Sequence, residues 1–202
     1  MKILLLGAGG MIGNGVYKIF SELGLPFVAT VSDESLRKKL SASPVEIYVV
    51  RHPLNDVRRI MEKIHPTHVV NCIGMIKPKE ELGEIKKLYL LNSVFPQVLS
   101  RVCDAYKARC IHMSTDCVFS GSRGQYVSTD IPDDDSEYGK SKYLGEISRL
   151  PHVTIRTSII GRELHSHKNL LDWFLTMQGK EIVGYSSAMW NGVSSLCIGR
   201  II

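Results

Sequence analysis

Two hydrophobic patterns alternate along the chain. Short continuous apolar runs are separated by stretches in which apolar residues recur at helical spacing. KILLLGA has the form of a strand buried on both faces. Ile12, Val16, Ile19, Phe20 and Leu23 then mark one face of a helix. PFVATV predicts a second strand, followed by a short helix to Leu40 that Asp33 can cap. VEIYVV and THVVNCIG predict strands three and four, with the helix LNDVRRIMEKI between them. A long helix is expected over Ile85 to Ala105, then a fifth strand in ARCIHMST. Gly, Ser, Asp and Pro dominate Ser120 to Ser136, which reads as a loop. A helix from about Glu137 to Arg149 and a sixth strand, HVTIRTSII, complete the alternation.

This order predicts an α/β fold, a Rossmann-type doubly wound parallel sheet with helices on both faces. Residues 1–160 would form that domain. Residues 161–202 would form the incomplete, truncated start of a smaller C-terminal substrate lobe. In that tail NLLDWFLTMQGKEI reads as an amphipathic helix. SLCIGRII is apolar enough to require a packing partner, either this domain or further chain.

Composition adds limits. The net charge of +5 is mild and the cationic residues are scattered, with no basic stripe carrying interleaved aromatics, so nucleic acid is not an expected partner. No apolar run approaches a membrane span, and the apolar start turns glycine-rich too soon for a signal peptide. The five cysteines, with no C-x-x-C pair, read as reduced thiols of a cytoplasmic protein. The histidines predict no metal site. His165 and His167, two apart in a polar stretch, read as a solvated loop.

The first candidate chemistry lies in GAGGMIG, where Gly7, Gly10 and Gly13 stand at the first strand-to-helix turn. Glycines there permit a tight turn, close approach of a pyrophosphate and helix–strand packing, and the helix N-terminus offers free donors. Gly7, Gly10, Met11, Ile12 and Gly13, with Ser32 at the end of strand two, are the candidate dinucleotide contacts. Asp33 suits either the ribose hydroxyls of NAD or a helix cap. Arg37 and Lys38 are within reach of a 2′-phosphate if the loop folds back. NAD and NADP therefore both stand.

The second is Thr115, Tyr138 and Lys142. Tyr138 and Lys142 are four apart, hence on one helix face, and Thr115 ends strand five, where open α/β sheets bind ligands. A phenol is a weak acid with a pKa of about 10, and a nearby ammonium would lower it. The trio thus has the composition of a carbonyl-reducing site, with Tyr138 as acid, Lys142 as its activator and Thr115 orienting the oxygen. A solvated polar pair is the plainer reading of Y-x-x-x-K alone.

GAGGMIG, NCIG, Asn92 in LLNSVFP, HMSTDCVFSG, YGKSKYLGE and IRTSIIGREL together resemble the extended short-chain dehydrogenase/reductases. Within them the chain is most similar to the dTDP-4-dehydrorhamnose reductase group, over about residues 1 to 200. The resemblance implies Thr115, Tyr138 and Lys142 as catalytic residues, with Ser114 assisting and Lys142 and Tyr138 also touching the cofactor. It implies Asn71, Cys72, Ile73 and Gly74 lining NAD or NADP, and Asn92 positioning the lysine. Reduction of a 4-keto nucleotide sugar in surface polysaccharide synthesis follows, with a homodimer as the expected assembly. Epimerisation by the same residues, or a non-catalytic nucleotide-binding subunit serving another enzyme, are the alternatives. Two departures stand out. Pro53 occupies a place where relatives carry an acidic residue, and Asp116-Cys117 replaces the Asp-Glu pair of the dehydratases.

Overall fold

Six short strands form one parallel sheet in the order β3-β2-β1-β4-β5-β6 in a computed structural model that describes residues 1–41, 43–76, 81–164 and 169–202. These strands are β1 (Ile3–Leu6), β2 (Phe27–Val31), β3 (Ile47–Val49), β4 (His68–Asn71), β5 (Arg109–Met113) and β6 (Val153–Ile155). The order reverses direction at β1, so the C-terminal ends of β1 and β4 splay around a crevice. The sheet is doubly wound, as its sequence pattern predicts. Helices α1 (Met11–Glu22) and α2 (Glu34–Leu40) follow β1 and β2, and α3 (Pro53–Ile64), α4 (Leu82–Tyr89), α5 (Phe95–Ala105) and α6 (Glu137–Leu144) complete the wrapping.

The alternation of the strands divides the core in two. Leu5, Ala29, Val31 and Val70 meet Val16, Tyr17 and Phe20 on one face. Leu4, Leu6, Val28 and Val69 meet Val57, Met61, Phe95 and Leu99 on the other. Each such side chain contributes about 1.5–3 kcal/mol on full burial, so both faces hold the sheet.

The expected helix over Ile85 to Ala105 is interrupted. It begins at Leu82 and passes through a π turn at Leu90–Val94 before α5. Pro96 is the physical reason. Its ring has no N–H to give to the carbonyl of Asn92, four residues back, and would collide with it. The extra residue of the π turn relieves the conflict and leaves that carbonyl available for another contact.

Helix α6 stops at Leu144 rather than near Arg149 because Gly145 abuts this carbonyl. A Cβ on Gly145 would lie 1.8 Å from the Asn92 oxygen. Ser136 caps the start of α6, accepting from Gly139 N–H at 3.0 Å.

The sixth strand is also shorter than its apolar run. After β6 the chain leaves the main sheet, and β7 (Ile159–Ile160) pairs in parallel with β8 (Val193–Ser194). The predicted helix of the tail shrinks to α7 (Leu170–Leu175). SLCIGRII becomes α8 (Ser195–Ile201), capped by Ser194, and packs against α1. Glycines permit this approach. A Cβ on Gly15 would lie 2.2 Å from the carbonyl oxygen of Ser195, and one on Gly199 would lie 2.9 Å from Ile19. His165 and His167 fall outside the described residues. Among those described, no helix is long and apolar enough to cross a membrane.

Candidate active site

A cleft of about 730 Å³ runs over the C-terminal ends of β1 to β4, the position predicted for a ligand by the strand order. The glycine turn forms its floor. Gly7 has φ +82°, the left-handed region that favours glycine. A Cβ at Gly10 would meet only the Gly7 carbonyl oxygen, at 3.7 Å, so the backbone there stays approachable. At Gly13 it would lie 2.1 Å from that oxygen, so the third glycine serves helix–strand packing. Gly10, the N-cap of α1, carries no capping side chain, which leaves the first-turn N–H groups available to an anion. This cradle and the cleft volume fit a dinucleotide.

Gly7, Gly10, Ser32, Cys72, Ile73 and Gly74 line the cleft as anticipated. Met11, Ile12 and Gly13 do not. They form the first turn of α1 beside it, with Ile12 packed on the core and Gly13 buried. Asn71 is wholly buried beneath the wall, where its Oδ1 accepts from Ile73 N–H at 3.1 Å. Asn92 is also buried and does not line the cleft. Its side chain accepts from Met75 N–H (2.8 Å) and donates to Met75 O (2.9 Å) and Ser141 Oγ (3.0 Å), tying the segment after β4 to α6.

The cationic side chains along the cleft are not the ones foreseen. Arg37 pairs with Glu34 at 3.4 Å, and neither it nor Lys38 lines the cleft. Arg51 and Lys87 line it instead, beside His52, and among the described residues no carboxylate does. Asp33 is engaged as the α2 cap. The Ser35 hydroxyl (2.7 Å) and Leu36 N–H (3.0 Å) hold its carboxyl down at about 2. The signal missed was positional. VVRHP closes β3, and side chains at strand C-termini face the crevice of such sheets.

Thr115 and Tyr138 meet beyond the C-terminal end of β5, with Lys142 one turn further along α6. Thr115 is buried, and its hydroxyl oxygen accepts from Cys117 N–H at 3.1 Å while standing beside the Tyr138 phenol. The expected effect of Lys142 on Tyr138 is not seen. Burial raises the phenol above its ordinary value, and the Thr115 hydroxyl offsets this in part. Lys142 Nζ instead donates to Met113 O at 2.6 Å. It lies 3.6 Å from where a Cβ of Gly74 would stand, at the cleft's inner end. Burial draws its ammonium from 10.5 down to about 8.

Ser114 does not point to this centre. Its hydroxyl donates to Glu146 Oε1 at 2.8 Å, and Glu146 receives Arg156 through two bonds of 2.8 and 2.7 Å. Arg156 also lies 5.0 Å above the Phe119 ring and donates to Ser128 O. This largely buried pair fastens the loop after Thr115 to β6. Arg156→Ala is expected to lower unfolding free energy by about 3 kcal/mol, because Glu146 keeps its charge without its partner. Arg156→Lys should recover less than half of that, lacking the two-pronged geometry. Urea unfolding of the three proteins measures both.

Residues 1–181 match the family described as RmlD substrate binding domain. A dTDP-4-keto-6-deoxy-D-glucose reductase of Streptomyces niveus is 32% identical over 146 residues, 71% of this chain and 45% of that protein. Methionine adenosyltransferase 2 subunit beta of Rattus norvegicus is 27% identical over 72% of this chain and 41% of its own. A crystal structure described as a hypothetical dTDP-4-dehydrorhamnose reductase from Sulfolobus tokodaii superposes with a TM-score of 0.80 at 21% identity, covering 99% of this chain and 70% of that one. The chain thus spans about half the length of the curated relatives it matches. With the family match spanning glycine turn, cleft and the Thr115–Tyr138–Lys142 cluster alike, the chain belongs to the RmlD substrate binding domain family.

Proposed function

We propose that this chain carries the dinucleotide site and the proton-transfer residues of an NAD(P)H-dependent reductase acting on a 4-keto nucleotide sugar. One observation carries the reading. Tyr138 and Thr115 stand side by side beyond β5, and buried Lys142, held on Met113 O, reaches toward Gly74 on the wall of a cleft that starts at a glycine turn. When bound, the dinucleotide supplies hydride to the ketone carbon. Tyr138 is the residue placed to give a proton to the ketone oxygen as charge develops there. Thr115, next to the phenol, orients the same oxygen. Lys142, already destabilised as a cation by burial, gains a partner when hydroxyls or a phenolate approach. Residues 161–202 would form the base of the sugar-nucleotide lobe. The test is NADPH and NADH oxidation with dTDP-, UDP- and GDP-linked 4-keto sugars; no oxidation with any of them removes the reductase reading.

Between the cofactors, we infer a preference for NADPH. Its adenosine end offers Ser32 and Arg51, whereas the nearby carboxylate of Asp33 is occupied in capping. An Arg51 guanidinium on a 2′-phosphate gives a charge-assisted contact worth about 1.5 kcal/mol. Arg51→Ala is expected to weaken NADPH about tenfold and leave NADH within about twofold, measured by nucleotide fluorescence titration. Equal losses for both would assign the preference elsewhere.

A second reading has its own support. One relative is named as a subunit of another enzyme, methionine adenosyltransferase. Tight dinucleotide binding without turnover on the full sugar panel would favour that role.

A further inference from the structure

His112 lies between the two ends of the candidate site; it opens the HMSTDCVFSG stretch, where sequence alone assigns it no role. It is central on β5, wholly buried, with Asn71 of β4 beside it on one side and Thr154 of β6 on the other. This cross-sheet row begins at Leu6 and otherwise faces apolar packing. Thr154 is committed elsewhere, to the backbone of Ile147 at 2.8 and 3.0 Å. His112 Nδ1 and Asn71 Nδ2 therefore meet each other, at 3.0 Å.

The tautomer follows by elimination. Ile73 N–H can only donate, so the Asn71 atom receiving it at 3.1 Å is Oδ1. The other end of the amide, Nδ2, also only donates. His112 Nδ1 must then accept, and the imidazole proton sits on Nε2. Nε2 has no protein acceptor among the described residues. A buried unpaired donor costs about 1–3 kcal/mol, so stability alone gives this site no reason to hold histidine. Neutrality is enforced as well. Burial, and after it the Lys142 ammonium, holds the ring well below the usual histidine range.

What the arrangement secures is the cleft wall. Asn71 Oδ1 fixes Ile73, and Ile73 packs against the glycine turn: a Cβ at Gly7 would lie 3.0 Å from Ile73 N and 3.1 Å from Cys72 C. The next residue after His112, Met113, presents the carbonyl that holds Lys142. One imidazole thus stands between the strand end that shapes the cleft and the carbonyl that parks the lysine. We propose that His112 is a positioning residue for the dinucleotide, acting as a neutral Nε2–H imidazole that orients Asn71 and through it the Ile73–Gly74 wall. This rests on the reading of the cleft as a dinucleotide site.

Two measurements test it. In ¹⁵N-histidine-labelled protein, His112 should show the Nε2–H tautomer, and Asn71→Asp, which replaces the amide donor with an acceptor, should move the proton to Nδ1. An Nδ1–H ring in the unsubstituted chain would overturn the proposal. In fluorescence titrations, His112→Phe should weaken NADPH about tenfold, the value of one hydrogen bond. His112→Asn, whose Oδ1 can accept where Nδ1 did, should restore affinity to within about threefold even though it leaves a smaller side chain. A purely structural role predicts the opposite order, with the smaller side chain the worse. Equal binding by the unsubstituted chain and His112→Phe would sink this inference alone. Failure of the unsubstituted chain to bind either nucleotide would sink the cofactor reading, and the inference with it.

Discussion

Tyr138→Phe is expected to lower turnover of a 4-keto nucleotide sugar by a factor of about 10²–10⁴, the usual contribution of a positioned general acid. NADPH affinity should stay within about twofold, because the substitution removes one hydroxyl and keeps the ring. The reason lies in the surroundings. The phenol is largely buried and its pKa is raised by that burial, so it stays protonated at neutral pH and is ready to donate. The Thr115 hydroxyl beside it eases loss of that proton, and Lys142 stands at the inner end of the cleft. Stopped-flow measurement of NADPH oxidation separates the chemical step from binding. A variant retaining a tenth or more of the turnover would remove Tyr138 as the acid.

The largest structural effect is expected from Gly145→Ala. The new methyl group would stand 1.8 Å from the Asn92 carbonyl oxygen and 2.9 Å from its carbon. Both are backbone atoms within the π turn and cannot rotate aside. Overpacking of this kind costs about 3 kcal/mol. The strain would fall on α6, which carries Tyr138 and Lys142, so folding and activity should decline together. Thermal unfolding followed by circular dichroism reads the first. As a contrast, Gly83→Ala, where a Cβ would meet nothing within 4 Å, should leave the melting temperature unchanged or slightly higher.

These cases show what could be read from the chain and what could not. The doubly wound parallel sheet was legible because each buried strand is a continuous apolar run and each connection is long enough for a helix. The candidate cluster was legible because one residue fell at a strand end and two fell one helical turn apart. Asn92 was legible as a residue but not in its action. Its leverage depends on Pro96 distorting the helix, a conflict between proline and a carbonyl that spacing alone does not display. Arg51 was passed over because attention fell on β2, although β3 ends on the same crevice. The hydroxyl of Ser114 pointed to catalysis in sequence and turned to Glu146 in space. His112 was invisible because an isolated histidine in an apolar strand gains its meaning only from the neighbours that sheet register gives it.

The contact of α8 with α1 has a consequence for synthesis. Gly15 and Gly199 are held face to face by residues almost the whole described chain apart. Closing so long a loop is entropically slow, and until it closes the glycine face of α1 has no cover. On the ribosome, the helix that follows the glycine turn emerges well before α8. It must wait for residues 195–201 before its packing is complete. The half that carries the glycine turn therefore cannot mature from its N-terminal side alone, and its final consolidation follows release of the segment that seals it.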